Sequence, residues 1–389
     1  MERGNVLVIG NSGVGKSTLI NAVLGEEIAE TSWGKEGTTK ELKMYENKEI
    51  PFRVIDTVGF EPSPKKLKQA IGAVKKWSND SAKEGHEDNQ INLIWFCVDG
   101  TAGKLFQKTM EDLSKATEMW DSVPVIVAIT KSYSEPDREK NIDMVNNAFA
   151  KQKRYSKNLR KVIPVVADTF VINDDACAPP EGITELIDAT NDLMPEGLKA
   201  GENDLAKFKL DRKRVMAHSV VGAATAAGVA AGAIPIPFAD AALLVPIERG
   251  AISALAKIYG ISKDEDSKKL VEYIVNAGAV GLAAKAAIGG LKAIPGINLG
   301  AGVINAIIAG SLVATIGEGT IFAFEQIYLG KKSVADIEWV KNMMDERLAN
   351  QFIEAIKTIP EKLNGKFDKD TITQIIKDVF NNSPSISDK

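Results

Sequence analysis

The sequence predicts an α/β domain with a mostly parallel sheet and helices on both faces, followed by an all-α domain. Up to residue 198, short β-rich apolar runs alternate with segments of helical periodicity, which is typical of parallel sheets. Beyond that residue only helical patterns follow. Proline, glycine and charged residues cluster at 195–204, so we expect domains over 1–198 and 199–389, with a polar tail after about residue 381.

Five apolar runs are the main predicted strands of the first domain. They are "NVLVIG", "IPFRVIDTVGF", "INLIWFCVDG", "VPVIVAIT" and "KVIPVVAD". Helical spacing predicts helices over 104–120 and 138–151, and the polar stretch "WGKEGTTKELKMYE" turns into a further strand. In such sheets ligands bind at the carboxyl ends of the strands.

Composition and charge restrict the function classes. The chain is 44% hydrophobic and 26% charged, with a net charge of -4 at pH 7. An acidic chain lacks the basic field that attracts nucleic acid, so no nucleic-acid partner is expected. Its 2 cysteines and 2 histidines form neither a disulfide framework nor a zinc-ligand cluster. The N-terminus shows no apolar signal segment, so we expect a cytoplasmic protein.

A glycine-rich loop follows the first strand. Gly10 to Ser17 read G-x-x-x-x-G-K-S, and helical spacing begins directly after them. Glycines allow backbone N–H groups to curl around phosphate, and the helix N-terminus adds positive charge. In this pattern Lys16 reaches the β- and γ-phosphates, and the Ser17 hydroxyl coordinates magnesium. The alternative is a plain glycine-rich turn.

A second motif, D-x-x-G, ends the strand "IPFRVIDTVGF". It places the Asp56 carboxylate where it holds the magnesium shell through water, and the Gly59 N–H where it senses the γ-phosphate. Together with the loop, "GTTK" and their spacing, this motif resembles a GTPase of the translation-factor class, in the branch that includes TrmE and Era. The resemblance implies GTP or GDP with Mg²⁺, and a threonine that closes over the magnesium: Thr39, or Thr38 as second choice.

The motif that reads guanine in this family, (N/T)-K-x-D, is incomplete here. Three of its positions match at the end of the strand "VPVIVAIT". Thr130 is the last residue of that strand, and Lys131 and Ser132 follow it. Tyr133 occupies the position of the aspartate. Hydrogen bonds to a charged group contribute about 1.5–3 kcal/mol, so base discrimination falls about ten- to a hundredfold unless Glu135 or Asp137 substitutes. GTP remains the expected nucleotide.

These motifs predict one nucleotide site. Ala167, in "VVAD", takes the place of the small residue that closes over the base in the family. The expected catalytic residues are Lys16 and Thr39, and the expected magnesium ligands are Ser17, Thr39 and Asp56. The nucleotide-binding set is Asn11, Ser12, Gly13, Val14, Gly15, Lys16, Ser17, Thr18, Thr39, Asp56, Gly59, Thr130, Lys131, Ser132 and Ala167.

The residue after D-x-x-G bears on hydrolysis. Phe60 stands where Ras-like enzymes place the glutamine that orients water. We therefore expect slow intrinsic GTP hydrolysis, accelerated by a partner or by nucleotide-dependent dimerisation. Gly13 stands where potassium-activated relatives have asparagine, which disfavours a potassium-dependent mechanism.

Small residues at three- and four-residue spacing dominate the second domain. This spacing lets helices approach closely, both in membranes and in soluble bundles. Alanine and glycine partition weakly into lipid, and charges interrupt the apolar runs. We expect a helical bundle with peripheral contact at the inner face of the membrane; inserted hairpins and no membrane role are the alternatives. The prolines of "IPIPFADAALLVPIERG" are expected to set a turn.

That segment, with its flanks and "IPGINLGAGVINA", is similar to the YcjF-type helical domain of bacterial predicted GTPases. The resemblance implies membrane association and a distant kinship to immunity-related and dynamin-like GTPases. We therefore expect a magnesium-dependent enzyme that hydrolyses GTP slowly. Its nucleotide state would control membrane docking of the helical domain or self-assembly into a homodimer or nucleotide-dependent oligomer. The alternatives are a nucleotide-gated binding module with negligible hydrolysis and a ribosome- or RNA-assembly GTPase.

Overall fold

The fold is described from a computed structural model. The residues that it describes are 3–25, 29–31, 42–46, 50, 52–57, 72, 90–101, 123–152, 156–173, 176–234, 240–261, 264–277, 300–343, 349–363 and 365–381. The chain divides into two compact units. The first comprises Met1–Asp168 and Pro180–Lys213, and the second Thr169–Pro179 and Arg214–Lys389. The expected boundary between residues 198 and 199 stays a prediction.

Seven strands of the described residues form one sheet in the first unit: β1 (Gly4–Ile9), β2 (Ala29–Thr31), β3 (Leu42–Glu46), β4 (Phe52–Thr57), β5 (Ile91–Asp99), β6 (Val125–Thr130) and β7 (Leu159–Pro164). Their order is β2-β3-β4-β1-β5-β6-β7. From β4 to β7 all neighbours are parallel, whereas β3 is antiparallel to both β2 and β4. The predicted mostly parallel α/β sheet is confirmed.

Three helices of the described residues lie wholly in this unit: α1 (Lys16–Leu24), α2 (Glu135–Ala150) and α3 (Ile183–Leu193). Short 3-10 turns occur at Ser156–Asn158 and Glu196–Leu198. Helix α2 confirms the helix expected over 138–151 and begins three residues earlier, with Pro136 in its first turn. A proline is tolerated there because the first-turn N–H groups have no partner within the helix. The helix expected over 104–120 lies outside the described residues.

Strand β5 lies in the middle of the core. Its side chains from residue 93 to residue 98 are buried, as expected for a parallel strand covered on both faces. The Trp95 ring meets the Phe52 ring edge-on, with centroids 5.8 Å apart. Trp95 Nε1 donates a hydrogen bond of 2.9 Å to Thr190 Oγ1 on α3. This bond lets the indole be buried without an unsatisfied N–H, which would cost about 1–3 kcal/mol.

The second unit combines a β-hairpin with helices. The antiparallel strands β8 (Phe170–Asn173) and β9 (Ala176–Ala178) form the hairpin, which the sequence analysis did not predict. The helices are α4 (Glu202–Gly232), which begins in the first unit, α5 (Asp240–Tyr259), α6 (Glu265–Ala277), α7 (Ala301–Tyr328), α8 (Ile337–Met343), α9 (Ala349–Lys362) and α10 (Lys369–Asn381). The helical character expected after residue 199 is confirmed.

Helices α4 and α7 approach closely because glycines lie between them. A Cβ on Gly232 would lie 2.5 Å from the carbonyl oxygen of Asn305. A Cβ on Gly317 would lie 2.6 Å from a methyl group of Val221. Such separations are sterically excluded, so only glycine permits this packing. The small-residue spacing therefore serves helix packing within the unit.

Among the residues that the structure describes, two helices are long and apolar enough to cross a membrane, by length and composition alone. Glu202–Gly232 has a mean hydropathy of 1.4 in its most apolar window, and Ala301–Tyr328 has 1.7. In the second helix, 83% of that window is buried within the protein. Core helices of soluble proteins pass the same test, so this finding is weak support for a membrane role.

The proline-rich segment differs in part from expectation. Residues 235–239 lie outside the described residues, and α5 begins at Asp240. Pro246 lies inside this helix, so the expectation that it helps to set a turn is wrong. Two residues later, the Glu248 side chain is only 1% exposed. Burial raises the pKa of its carboxyl to about 8.

Polar pairs also join α4 to α7. Arg214 Nε donates to Glu325 Oε2 at 2.8 Å. His218 Nδ1 lies 3.0 Å from Glu318 Oε1, and this hydrogen bond raises the histidine pKa. These pairs add a specific alignment to the glycine contacts between the two helices.

Candidate nucleotide-binding site

The loop between β1 and α1 has the conformation that its glycines permit. Gly13 and Gly15 have φ values of 80° and 93°, in the left-handed region that favours glycine. At Gly10, a Cβ would lie 2.6 Å from the carbonyl oxygen of Cys97 on β5. Two of these glycines are therefore required by backbone angles and the third by a close approach. The local sequence dictates the shape of a phosphate-binding loop.

Lys16 lies at the start of α1 and points back into this loop. Its Nζ donates to the carbonyl oxygens of Gly10 at 2.9 Å and Asn11 at 3.1 Å, and the residue is 9% exposed. Ser17 and Thr18 are exposed in the first turn of the same helix. The ammonium group and the N-terminal N–H groups of α1 thus converge on one loop, where an anion is favoured.

Asp56, near the end of β4, lies on the strand next to β1. It pairs in register with Val8 and is 6% exposed. Both Lys16 and Asp56 act electrostatically on the thiol of Cys97, whose pKa burial raises to about 12. The lysine and the carboxylate therefore lie in one neighbourhood, and their roles in nucleotide and magnesium binding stay predictions. Four switch residues of the prediction lie outside the described residues: Thr38, Thr39, Gly59 and Phe60.

The loop after β6 is bonded to the phosphate loop. Thr130 Oγ1 is within hydrogen-bonding distance of the carbonyl oxygens of Val14 and Val98. Lys131 Nζ donates to the Gly13 carbonyl oxygen at 2.8 Å. Lys131 is the one non-glycine residue with positive φ among those described, at 54°. Its strained backbone indicates that the surrounding contacts hold it in place.

Asp99, at the end of β5, is a site residue that the sequence analysis missed. Its Oδ2 lies 2.7 Å from Lys131 Nζ, and its Oδ1 accepts hydrogen bonds from the Thr101 N–H and hydroxyl. Burial raises the pKa of Asp99, but these hydrogen bonds outweigh that effect and leave it below its usual value. A signal existed, because Asp99 ends a strand just as Asp56 does.

The third loop follows β7 and contains Ala167. Val165 N–H donates to the Ile129 carbonyl at 2.7 Å, and Ser132 N–H donates to the Val165 carbonyl at 3.1 Å. Ser132 Oγ donates to the Ile129 carbonyl at 2.7 Å, so this hydroxyl group bonds to the main chain next to its own loop. Ala167 is partly exposed just beyond these bonds. The loops after β6 and β7 thus form one hydrogen-bonded unit.

The two proposed substitutes for the missing aspartate lie in the first turn of α2. Glu135 and Asp137 are both exposed there. Tyr133, before the helix, is partly exposed, and its N–H donates to the Lys131 carbonyl at 2.8 Å. That either carboxylate replaces the missing aspartate stays a prediction. All the loops follow the carboxyl ends of adjacent strands, where ligands bind in open α/β sheets.

These features define the N-terminal region as a P-loop GTPase domain, an α/β fold followed by a helical region. Residues 5–131, about a third of the chain, match the family model described as "50S ribosome-binding GTPase". This region is similar in sequence to the GTPases Era and Der.

Two curated relatives illustrate the similarity. The chain is 31% identical over 138 residues to GTPase Era of Vibrio parahaemolyticus, covering 35% of this chain and 39% of that protein. It is 28% identical over 245 residues to GTPase Der of Alkaliphilus oremlandii, covering 62% and 50% respectively. The chain thus spans about half or less of the length of these two relatives. Neither relative shows the YcjF-type resemblance or the dynamin kinship, which stay predictions.

Among solved structures, Era in complex with MgGDPNP and part of 16S ribosomal RNA matches with a TM-score of 0.33 at 21% identity. The match covers 57% of this chain and 68% of that chain. The expectation that no nucleic acid is bound stays a prediction.

Proposed function

We propose that this protein binds guanine nucleotide with Mg²⁺ and hydrolyses GTP slowly. We further propose that the bound nucleotide controls self-assembly or membrane docking of the helical region. The observation that carries the nucleotide proposal is the bonding of Thr130 and Lys131 to the phosphate-loop carbonyls of Val14 and Gly13. This bonding unites a base-side loop and a phosphate loop in one site.

The phosphate side follows from Lys16. Its two carbonyl acceptors are neutral, whereas phosphate oxygens carry negative charge that attracts the ammonium group more strongly. On nucleotide binding, Lys16 would exchange these carbonyls for the β- and γ-phosphates. The N–H groups of the loop and of α1 would bind the remaining oxygens.

The magnesium site would use Ser17 and Asp56, with Thr39 as the further ligand implied by the family resemblance. Within the described ranges no group of three or more His, Cys, Asp or Glu residues could hold a metal. Two or three protein ligands suit Mg²⁺, because this ion keeps several waters and binds substrate phosphates. The ion would supply charge neutralisation at the phosphates.

The base side relies on Lys131 and Ala167. The Lys131 stem would pack on the purine ring, with its ammonium group anchored to Asp99 and Gly13. Within the described ranges no acceptor is recorded for the Ala167 N–H, so this donor is available to a base. Tyr133 offers no carboxylate to the base, so we expect weaker guanine selectivity than the complete motif provides.

Slow hydrolysis is proposed because Phe60 cannot orient a water molecule. A partner or a second copy of the chain would then supply the missing group. Control of the helical region is supported by the continuity of α4, whose residues belong to both units. Peripheral membrane contact has weak support in the apolar composition of α4, because only 50% of its most apolar window is buried.

A ribosome- or RNA-assembly role is the second candidate. It is favoured by the description of the matching family model and by the RNA in the Era structure. The net charge of -4 argues against it, because RNA affinity depends on neutralising phosphates.

The first experiment measures binding and turnover. Equilibrium titration with fluorescent GDP and multiple-turnover phosphate release from GTP are compared for the wild type, Lys16→Ala and the control Lys140→Ala, which alters an exposed lysine on α2. We expect binding and slow turnover in the wild type and the control, and neither in Lys16→Ala. Nucleotide binding without turnover at high protein concentration would favour the nucleotide-gated binding module.

The second experiment addresses the helical region. Liposome flotation and size-exclusion chromatography are run with GDP and with a non-hydrolysable GTP analogue. We expect either the fraction of protein that floats with the liposomes or the elution volume to differ between the two nucleotides. Identical results in both nucleotides would refute control by nucleotide state while leaving GTP hydrolysis intact.

A further inference from the structure

A single arginine joins the two loops on the base side of the site. Arg138 lies in the first half of α2, just after the loop that contains Lys131. Its Nε donates to the Ser132 carbonyl at 2.9 Å, and its Nη1 lies 2.7 Å from Glu181 Oε2. The guanidinium group thus uses two of its N–H groups on two separate segments.

Glu181 is hydrogen-bonded through its main chain to the loop after β7. Its N–H donates to the Val166 carbonyl at 2.9 Å, and the Val166 N–H donates to its carbonyl at 3.0 Å. This pair of bonds closes the chain at the base of the segment between residues 166 and 181. Glu181 therefore holds Val166 by its backbone and Arg138 by its side chain.

The contacts of Arg138 are partly shielded from solvent. The Arg138 side chain is 17% exposed and that of Glu181 is 36% exposed. Exposed ion pairs contribute little, but a planar guanidinium group with fixed partners constrains geometry more than a flexible lysine does. A lysine has no planar group with several fixed N–H donors, so it could not reproduce both contacts in this geometry.

The residue next to Val166 is Ala167, whose N–H is available to a base. Guanine presents an acceptor, O6, where adenine presents a donor, its 6-amino group. An Ala167 N–H that points at this atom of the base would therefore favour guanine over adenine. Because Tyr133 contributes no carboxylate, discrimination depends on such main-chain donors more than it does in the complete motif.

We propose that Arg138 and Glu181 are positioning residues for base discrimination. They hold the main chain at Ser132 and at Val166 in the spacing that aligns the Ala167 N–H with guanine O6. This inference rests on the proposed binding of guanine nucleotide and adds the means by which guanine is selected.

The test compares the dissociation constants of fluorescent GDP and ADP. The variants are Arg138→Met, Glu181→Gln and the double variant, with Lys140→Met on the exposed face of α2 as matched control. We expect each single variant to weaken GDP binding roughly tenfold, equivalent to about one hydrogen bond, and to leave ADP binding unchanged. The double variant should resemble the single ones, because the two side chains act as one unit.

A purely structural role predicts a different pattern. It would lower the melting temperature and weaken GDP and ADP alike, and that outcome would overturn the inference. Arg138→Lys serves where Arg138→Met does not fold, and it should recover only part of the selectivity. If the wild type selects GDP and every variant keeps that selectivity, the inference alone fails; if the wild type binds neither nucleotide, the proposed function fails with it.

Discussion

Replacing Tyr133 with aspartate should complete the guanine-reading motif. The residues before it already bond to the phosphate loop, since Lys131 donates to Gly13 and Thr130 lies against Val14. Tyr133 is partly exposed in the loop that precedes α2, so a smaller side chain fits without opening the core. An aspartate there could accept hydrogen bonds from N1 and the 2-amino group of guanine.

The expected gain follows from the bonds that form. Hydrogen bonds to a charged group contribute about 1.5–3 kcal/mol, and 1.4 kcal/mol is a factor of ten in affinity. The gain is therefore about ten- to a hundredfold for GDP. Two carboxylates in the first turn of α2, Glu135 and Asp137, would repel the new charge, so we expect the lower end of that range.

The assay is equilibrium titration of Tyr133→Asp and Tyr133→Asn with fluorescent GDP, IDP and ADP. Asparagine has almost the same shape without the charge, so it separates the charge from the loss of the tyrosine ring. We expect Tyr133→Asp to bind GDP most tightly, IDP with a smaller gain because IDP lacks the 2-amino group, and ADP without gain. If the aspartate variant binds GDP no better than the asparagine variant, the placement of the base beside residue 133 is wrong.

Two further predictions concern packing and pH. Gly10→Ala should lower the free energy of unfolding by about 1–3 kcal/mol, because its Cβ would lie 2.6 Å from the Cys97 carbonyl oxygen. Chemical denaturation of this variant and of Gly197→Ala, where the added Cβ meets nothing within 4 Å, measures the effect, and equal stability would contradict the close approach. Glu248→Gln should flatten the pH dependence of stability. The carboxyl pKa is about 8 in the folded protein and 4.5 for an unburied glutamate, so wild-type stability should fall as pH rises between these values, because only the unfolded chain then ionises. The melting temperatures of wild type and variant are measured from pH 5 to pH 8. Equal changes with pH in the two proteins would refute this prediction.

The phosphate loop illustrates what a local sequence can predict. Gly13 and Gly15 need left-handed backbone angles, and Lys16 begins the helix that follows. All these signals lie within eight consecutive residues, so no tertiary information is required to recognise them. The alternation of strands and helices was predicted for the same reason, because periodicity is also a local property.

Other parts of the site depend on pairings across the chain. Asp99 meets Lys131 from 32 residues away, and Arg138 meets Glu181 from 43 residues away. An isolated acid or base has no local pattern that reveals its partner. These contacts became visible only once the strand order and register placed the segments side by side.

The sequence by itself determined a P-loop α/β domain followed by helices and named the residues of the phosphate and base loops. Glycine angles, strand and helix periods and motif spacing are encoded in neighbouring residues, so they can be read directly. Tertiary structure alone decided the Arg138 contacts, the β8–β9 hairpin and the place of Pro246 inside a helix. Each of these depends on packing between distant segments, and packing can override the local preference of a residue.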